Sequence, residues 1–190
     1  VPGSAAAVAI TFMDTAGSSC GALLPTGNIC DTINGIDVTM IDNGMPCVIV
    51  RSEDLGVRGD EQPEELEANK NLRKIIEELR LKCGPLINLG SVKEKTVPKI
   101  TIVSKAQHGG TISTRTFIPH SCHKAIGVLG AVSVATACAM KGSTAYNLAL
   151  QMDGNERHLS IEHPTGEMTI VANIDQNGKV FEAAILRTER

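Results

Sequence analysis

The stretch IPHSCHKAIGVLGAVSVATACAM, Ile118 to Met140, decides how this chain folds. Its second part, Ala125 to Met140, has no charged residue, and Ser133 and Thr136 are its only hydroxyls. A helix without a polar face must be buried on every side or lie in lipid. Sixteen residues make a helix of roughly 24 Å, shorter than the ~20 residues of a membrane span. The stretch is therefore expected to be a buried core helix, and no membrane contact is expected. Its glycines and alanines predict a thin rod against which sheets approach closely.

The polar residues all precede the rod. The first turn of a helix leaves backbone N–H groups unpaired at the positive end of the macrodipole. Ser121, Cys122 and His123 would then surround a bound carboxylate or phosphate at an anion-binding helix end. Simple capping by Ser121, with His120 and His123 in solvent, accounts for the same residues, and the residues alone leave both readings open. No metal site is expected. His120, Cys122 and His123 would crowd three ligands into four residues, and no fourth is evident.

Outward from this segment, the pattern is mostly strand. VAITFMDT (8–15) reads as one strand. DVTMIDNGMPCVIVRS (37–52) reads as a hairpin broken at Asn43-Gly44, with Pro46 marking an edge or an irregular entry. Residues 97–104 and 111–118 read as strands joined through His108-Gly109-Gly110. HLSIEH, EMTIVANI and VFEAAILRT read as a meander, with turns at Pro164-Thr165-Gly166 and Asp175 to Gly178. Between them, Pro63 to Cys83 has Leu66, Leu72, Ile75, Ile76, Leu79 and Cys83 at helical spacing, with Gly84-Pro85 as its stop. The fold class is α+β: a mostly antiparallel sheet curled around a central apolar helix, plus one amphipathic surface helix.

Composition narrows the function classes. There are 18 Lys and Arg against 21 Asp and Glu, a net charge of −3, so no basic excess is available to neutralise nucleic-acid phosphates. Three Phe, one Tyr and no Trp leave little for stacking bases or sugars. The six cysteines form no CxxC pair, and the expected location is a reducing cytoplasm.

FIPHSCHKAIGVLGAVSVATACA, preceded by GGTISTRTF and followed by IEHPTG, resembles the 4-oxalomesaconate tautomerase group of the PrpF-like (methylaconitate isomerase) family. VPGSAAAVAITFMDTAGS, LLPTGN, VTMIDNGMPCVIV, LRLKCGPLINLGSV and ILRTER carry the resemblance along nearly the whole chain. It implies a diaminopimelate-epimerase-like fold of two pseudo-symmetric halves, with the active site in the cleft between them. The ends of both central helices would point at the substrate carboxylates. Residues 1–190 would be a single C-terminal-type half, since VPGSAA falls near the junction of the halves in such proteins. The N-terminal half, supplied by the same polypeptide or a separate chain, would carry the principal acid and base.

The implied activity is isomerisation of an unsaturated oxo-polycarboxylate by movement of a proton and a double bond, without a cofactor. A non-catalytic carboxylate-binding domain, or a truncated structural domain, is the alternative. Substrate-binding candidates are Ser121, Cys122, His123, Asn43, Gly44, Thr165, Gly166 and Arg115. Cys122 is also a candidate acid or base, because a helix end lowers a thiol's pKa. Arg115 would pair a carboxylate or lie on the surface. The resemblance departs from the family at Leu129-Gly130, where relatives tend to read Thr-Gly. A homodimer is a further expectation, from a core facing an absent half.

Overall fold

In the computed structural model, residues 7–175 and 180–188 are described. The VPGSAA motif, the end of ILRTER and most of the turn expected at Asp175 to Gly178 fall outside them. Ten strands form one sheet among the described residues. They are β1 (Ala7–Phe12), β2 (Asp31–Ile33), β3 (Ile36–Asp42), β4 (Pro46–Arg51), β5 (Lys99–Ser104), β6 (Ile112–Ile118), β7 (Ser121–Cys122), β8 (Glu156–His163), β9 (Gly166–Ile174) and β10 (Val180–Thr188). The order across the sheet is β1-β10-β9-β8-β6-β5-β4-β3-β2, with β7 paired to the end of β6. The α-helices are α1 (Pro63–Ala68), α2 (Lys70–Leu86) and α3 (Val128–Ala139).

The sheet is antiparallel except at β4/β5 and β6/β8. Those two parallel pairs need long crossovers, and the crossovers carry the helices: α1 and α2 between β4 and β5, α3 between β6 and β8. Both crossovers step the same way across the sheet, but β5/β6 pairing is antiparallel, so β4 and β6 run in opposite directions. Crossovers of one hand then put their helices on opposite faces, and the core divides accordingly. Ile41, Cys47, Ile49, Val103 and Ile112 pack with α3. Met40, Val48, Val50, Ile100, Ile102 and Phe117 pack with α1 and α2. Alternate residues of the same strands serve the two layers.

The apolar rod is buried as its composition requires. The last nine of the twelve α3 residues are buried, and the helix packs on β3, β4, β8, β9 and β10. It is shorter than Ala125–Met140: Gly127 is its N-cap and Met140 its C-cap. Its glycines do not make the close contacts. A Cβ at Gly127 would meet open space, and one at Gly130 would make only ordinary contact with Ile126. Close approach occurs instead at Gly44, at the tip of the β3–β4 turn, against Leu129.

The expected Pro63–Cys83 helix is two helices. The chain breaks at Asn69, whose backbone is extended and whose Oδ1 accepts the Leu72 N–H at 3.0 Å, capping α2. The single amphipathic helix predicted from spacing is thus a one-and-a-half-turn α1 followed by α2. Leu66, Leu72, Ile76, Leu79 and Cys83 are buried as their spacing implies. Gly84-Pro85 does not stop α2, which runs on to Leu86. Gly84 is required there because Val92 packs where a Cβ would stand.

The β3–β4 hairpin, β5, β6 and the meander lie where alternation places them, and β8 meets β9 across Pro164-Thr165 with His163 opposite Gly166. Pro46 is not at an edge: β4 lies between β3 and β5, and Pro46 is its first residue, where a missing N–H is tolerated. No helix among the described residues is long and apolar enough to cross a membrane.

Candidate functional site at the start of helix α3

The first turn of α3 has no side-chain cap. Its leading N–H groups are left without intrahelical acceptors, and Gly127 to Gly130 line a cavity of about 260 Å³. Lys99, Thr116, Ile118, Met45, Cys47 and Ile126 complete its wall. Lys99 is half-buried at the start of β5, and its Nζ donates to the Thr96 carbonyl at 2.8 Å. Burial lowers its pKa from the ordinary lysine value. The cavity therefore combines an uncapped positive helix end with largely apolar walls, and Lys99 is part of its lining.

Lys99 was absent from the candidates drawn from sequence. The available signal was its place in VPKITIVS, a lone charge sharing alternation with Thr101 and Val103. That face is the one α3 covers, because Val103 belongs to its core and Thr101 meets Thr116 Oγ1 at 3.1 Å.

Gly44 packs against the first turn of α3, at Leu129, and Asn43 is tied further along the same helix. Asn43 is buried; its backbone N–H donates to Ser133 Oγ at 3.1 Å and its Nδ2 to Thr136 Oγ1 at 2.9 Å. Its Oδ1 accepts from Thr15 Oγ1 at 2.6 Å. These contacts occupy the Asn43 side chain in holding the turn to α3. Gly44, at φ +91°, has Leu129 Cδ2 2.9 Å from the position of an added Cβ.

Ser121, Cys122 and His123 do not form the first helical turn. Proline and β-branched neighbours favour extension here, and Ser121 and Cys122 form the strand β7, antiparallel to Ile118 and Phe117. Ser121 and His123 are exposed and Cys122 is buried. The Cys122 N–H donates to Glu67 Oε1 at 2.8 Å, and burial pushes its thiol up to about 12. The lowered pKa expected of a helix-end thiol is thus reversed, because the thiol sits under α1 among apolar neighbours. The His123 N–H donates to the Thr116 carbonyl at 2.7 Å, and its Nδ1 accepts from the Ala125 N–H at 2.9 Å.

Thr165 meets this connection, its hydroxyl donating to the Lys124 carbonyl at 2.8 Å, so the Thr165-Gly166 turn and residues 121–124 form one cluster. Arg115 lies elsewhere. It alternates with Thr114 and Thr116 on β6 and so projects to the layer of α1 and α2, buried rather than on the surface. Among the described residues, no three His, Cys, Asp or Glu side chains are grouped to hold a metal ion.

Comparison with known proteins agrees with this architecture. The chain is 54% identical over its full length to (4E)-oxalomesaconate Delta-isomerase of Novosphingobium sp. strain KA1, of which it covers 53%. It is 51% identical over its full length to 4-oxalomesaconate tautomerase of Pseudomonas putida, covering 52%. It therefore spans about half the length of these curated relatives. The crystal structure of methylitaconate-delta-isomerase superposes on the whole chain with a TM-score of 0.89 at 28% identity, the chain covering 55% of it. The PrpF protein family model matches residues 1–190, and the chain belongs to the PrpF family.

Proposed function

We propose that this chain forms one wall of the active site of a cofactor-independent isomerase that shifts a proton and a double bond in an unsaturated oxo-polycarboxylate. The substrate class follows from the relatives named for 4-oxalomesaconate. The observation that carries the reading is the uncapped start of α3 opening onto the cavity beside Lys99. In this reading α3 is the central helix around which the sheet of one half curls. A second half, from the same polypeptide or another chain, closes the cleft and brings the principal acid and base. The enzyme works in the cytoplasm.

Removing a proton from carbon next to a carbonyl leaves negative charge that spreads toward the substrate's oxygens. Preorganised N–H groups and a cation aimed at that charge stabilise it most where water is excluded. The Val128 to Gly130 amides and the Lys99 ammonium supply this on apolar walls. The same groups grip a carboxylate before reaction. Cys122, with a thiol held protonated by burial, packs the β6–β7 connection under α1 and in this reading transfers no proton.

The test is turnover of 4-oxalomesaconate by the protein completed with its N-terminal half, comparing wild type with Lys99→Met. Lys99 is at the cavity edge, so the fold should persist. Loss of one charge-assisted contact should reduce kcat/KM by roughly 10–100-fold, since such bonds are worth about 1.5–3 kcal/mol. Unchanged kinetics would remove the α3 cavity from the reaction.

A further inference from the structure

A second cavity, of about 310 Å³, lies on the opposite face of the sheet from α3, against the segment that leads into α1. Arg115 lies in its wall at 6% exposure. The guanidinium is anchored by neutral acceptors. Its Nε donates to the Glu61 carbonyl at 2.7 Å, and its Nη1 donates to the Thr114 carbonyl at 2.8 Å and, more weakly, to Ser113 Oγ at 3.4 Å. Among the described residues Nη2 has no hydrogen-bond partner, and it is not among the sealed, unpartnered polar atoms; we take it to open on the cavity that Arg115 lines.

A buried guanidinium stays charged, and a buried charge without a counter-ion is costly. Three carboxylates stand nearby, and each is held by other groups. Glu162 accepts the N–H groups of Gln107 at 2.6 Å, His108 at 2.7 Å and Gly110 at 2.9 Å. Glu61 accepts those of Arg58 at 2.8 Å and Gly59 at 2.7 Å. Asp60 pairs with Arg58 at 2.8 Å. Among the described residues, Arg115 takes part in no ion pair.

The open nitrogen thus lacks the one partner its chemistry calls for, in a space the size of a small organic acid. We propose that this cavity binds a small monocarboxylate, its carboxylate on Arg115 Nη2. Asp60 and Glu162, in the same wall, select against a second negative group and leave acceptors for a hydroxyl on the ligand. His108 and His163 border the opening. The site is separate from the α3 cavity: Thr116 faces that one and Arg115 this one, from adjacent positions of β6. It stands or falls independently of the isomerase reading.

The test is titration of the isotopically labelled protein with sodium lactate, followed by NMR at constant ionic strength against sodium chloride. The expected result is a saturable shift of the Arg115 Nε–H signal together with the amides of Ser113 and His163. Succinate, with two charges, should bind more weakly. Arg115→Lys keeps the charge and loses the fork, and should weaken lactate binding by roughly tenfold. If that variant does not fold, the wild-type shift map decides alone. The proposal is overturned if the signals do not saturate, if only residues around Lys99 and Gly127 shift, or if succinate binds more tightly than lactate.

Discussion

The side-chain amide of Asn43 donates to Thr136 Oγ1 across 2.9 Å, joining a hairpin turn to a helix ninety-three residues later in the chain. The Thr136 hydroxyl proton is already committed to the Val132 carbonyl at 2.8 Å, so Thr136 can only accept from Asn43. Asn43→Ala should cost about 1–3 kcal/mol, the usual penalty for stranding buried partners. Asn43→Asp should cost more at neutral pH, because it puts an acceptor against an acceptor. Urea unfolding midpoints at pH 7 check the order. Equal losses would mean that the amide proton contributes nothing.

Gly44→Ala meets two separate obstacles. The φ of +91° disfavours any side chain, and the new methyl would stand 2.9 Å from Leu129 Cδ2. A left-handed backbone at a non-glycine residue costs about 1–3 kcal/mol. Adding Leu129→Ala removes the clash and leaves the backbone cost. The double variant should then be more stable than additivity of the two single changes allows, which a denaturant double-mutant cycle measures.

Thiol labelling separates the six cysteines. Cys30 is exposed and the other five are buried. Burial also raises Cys20, Cys47, Cys83, Cys122 and Cys138 to about 12. The folded protein should release one equivalent with Ellman's reagent at pH 8 and six in denaturant. That single thiol should react more slowly than a free one, since partial burial, with Asp37 nearby, raises its pKa as well. Early labelling of Cys122 would contradict its place under α1.

Stability should fall in acid through groups of two kinds. Burial alone would raise Glu162, but the Gln107, Gly110 and His108 amides more than offset it and hold the carboxyl below its ordinary value. Its contribution is present above the ordinary carboxylate pKa and is lost as pH falls through the lowered one. Burial depresses His163, so protonation there costs the folded state as pH falls below the ordinary histidine value. Glu162→Gln should cost about 1–3 kcal/mol at pH 7. Its difference from wild type should shrink toward pH 2, read from thermal or urea melts across the range.

Much of the fold was legible because alternation and apolar runs report burial directly. Val48 and Ile49, or Thr116 and Phe117, sit on opposite faces as period two demands. The break at Asn69 was hidden because its flanking residues keep helical spacing through the interruption. The start of α3 was misplaced because glycine at an N-cap carries no side-chain signal, while Ser121 carries a strong one and lies in a strand. Of the turn singled out in the sequence, Gly44 packs against Leu129 in the first turn of α3, while Asn43 is tied further along the helix, to Ser133 and Thr136. Lys99 was not legible, since its position depends on β4 and β5 pairing in parallel across a crossover of nearly fifty residues.

Strand β6 also limits how this family member can change. Its even positions are read by α3 and its odd positions by α1 and α2. Inserting or deleting a single residue would exchange the two sets, driving Arg115 into the aliphatic layer and Thr116 out of it. Point replacements can be weighed one face at a time, whereas length changes in this strand should survive only in steps of two. An alignment of functional relatives would therefore show this segment ungapped, however far the individual residues have drifted.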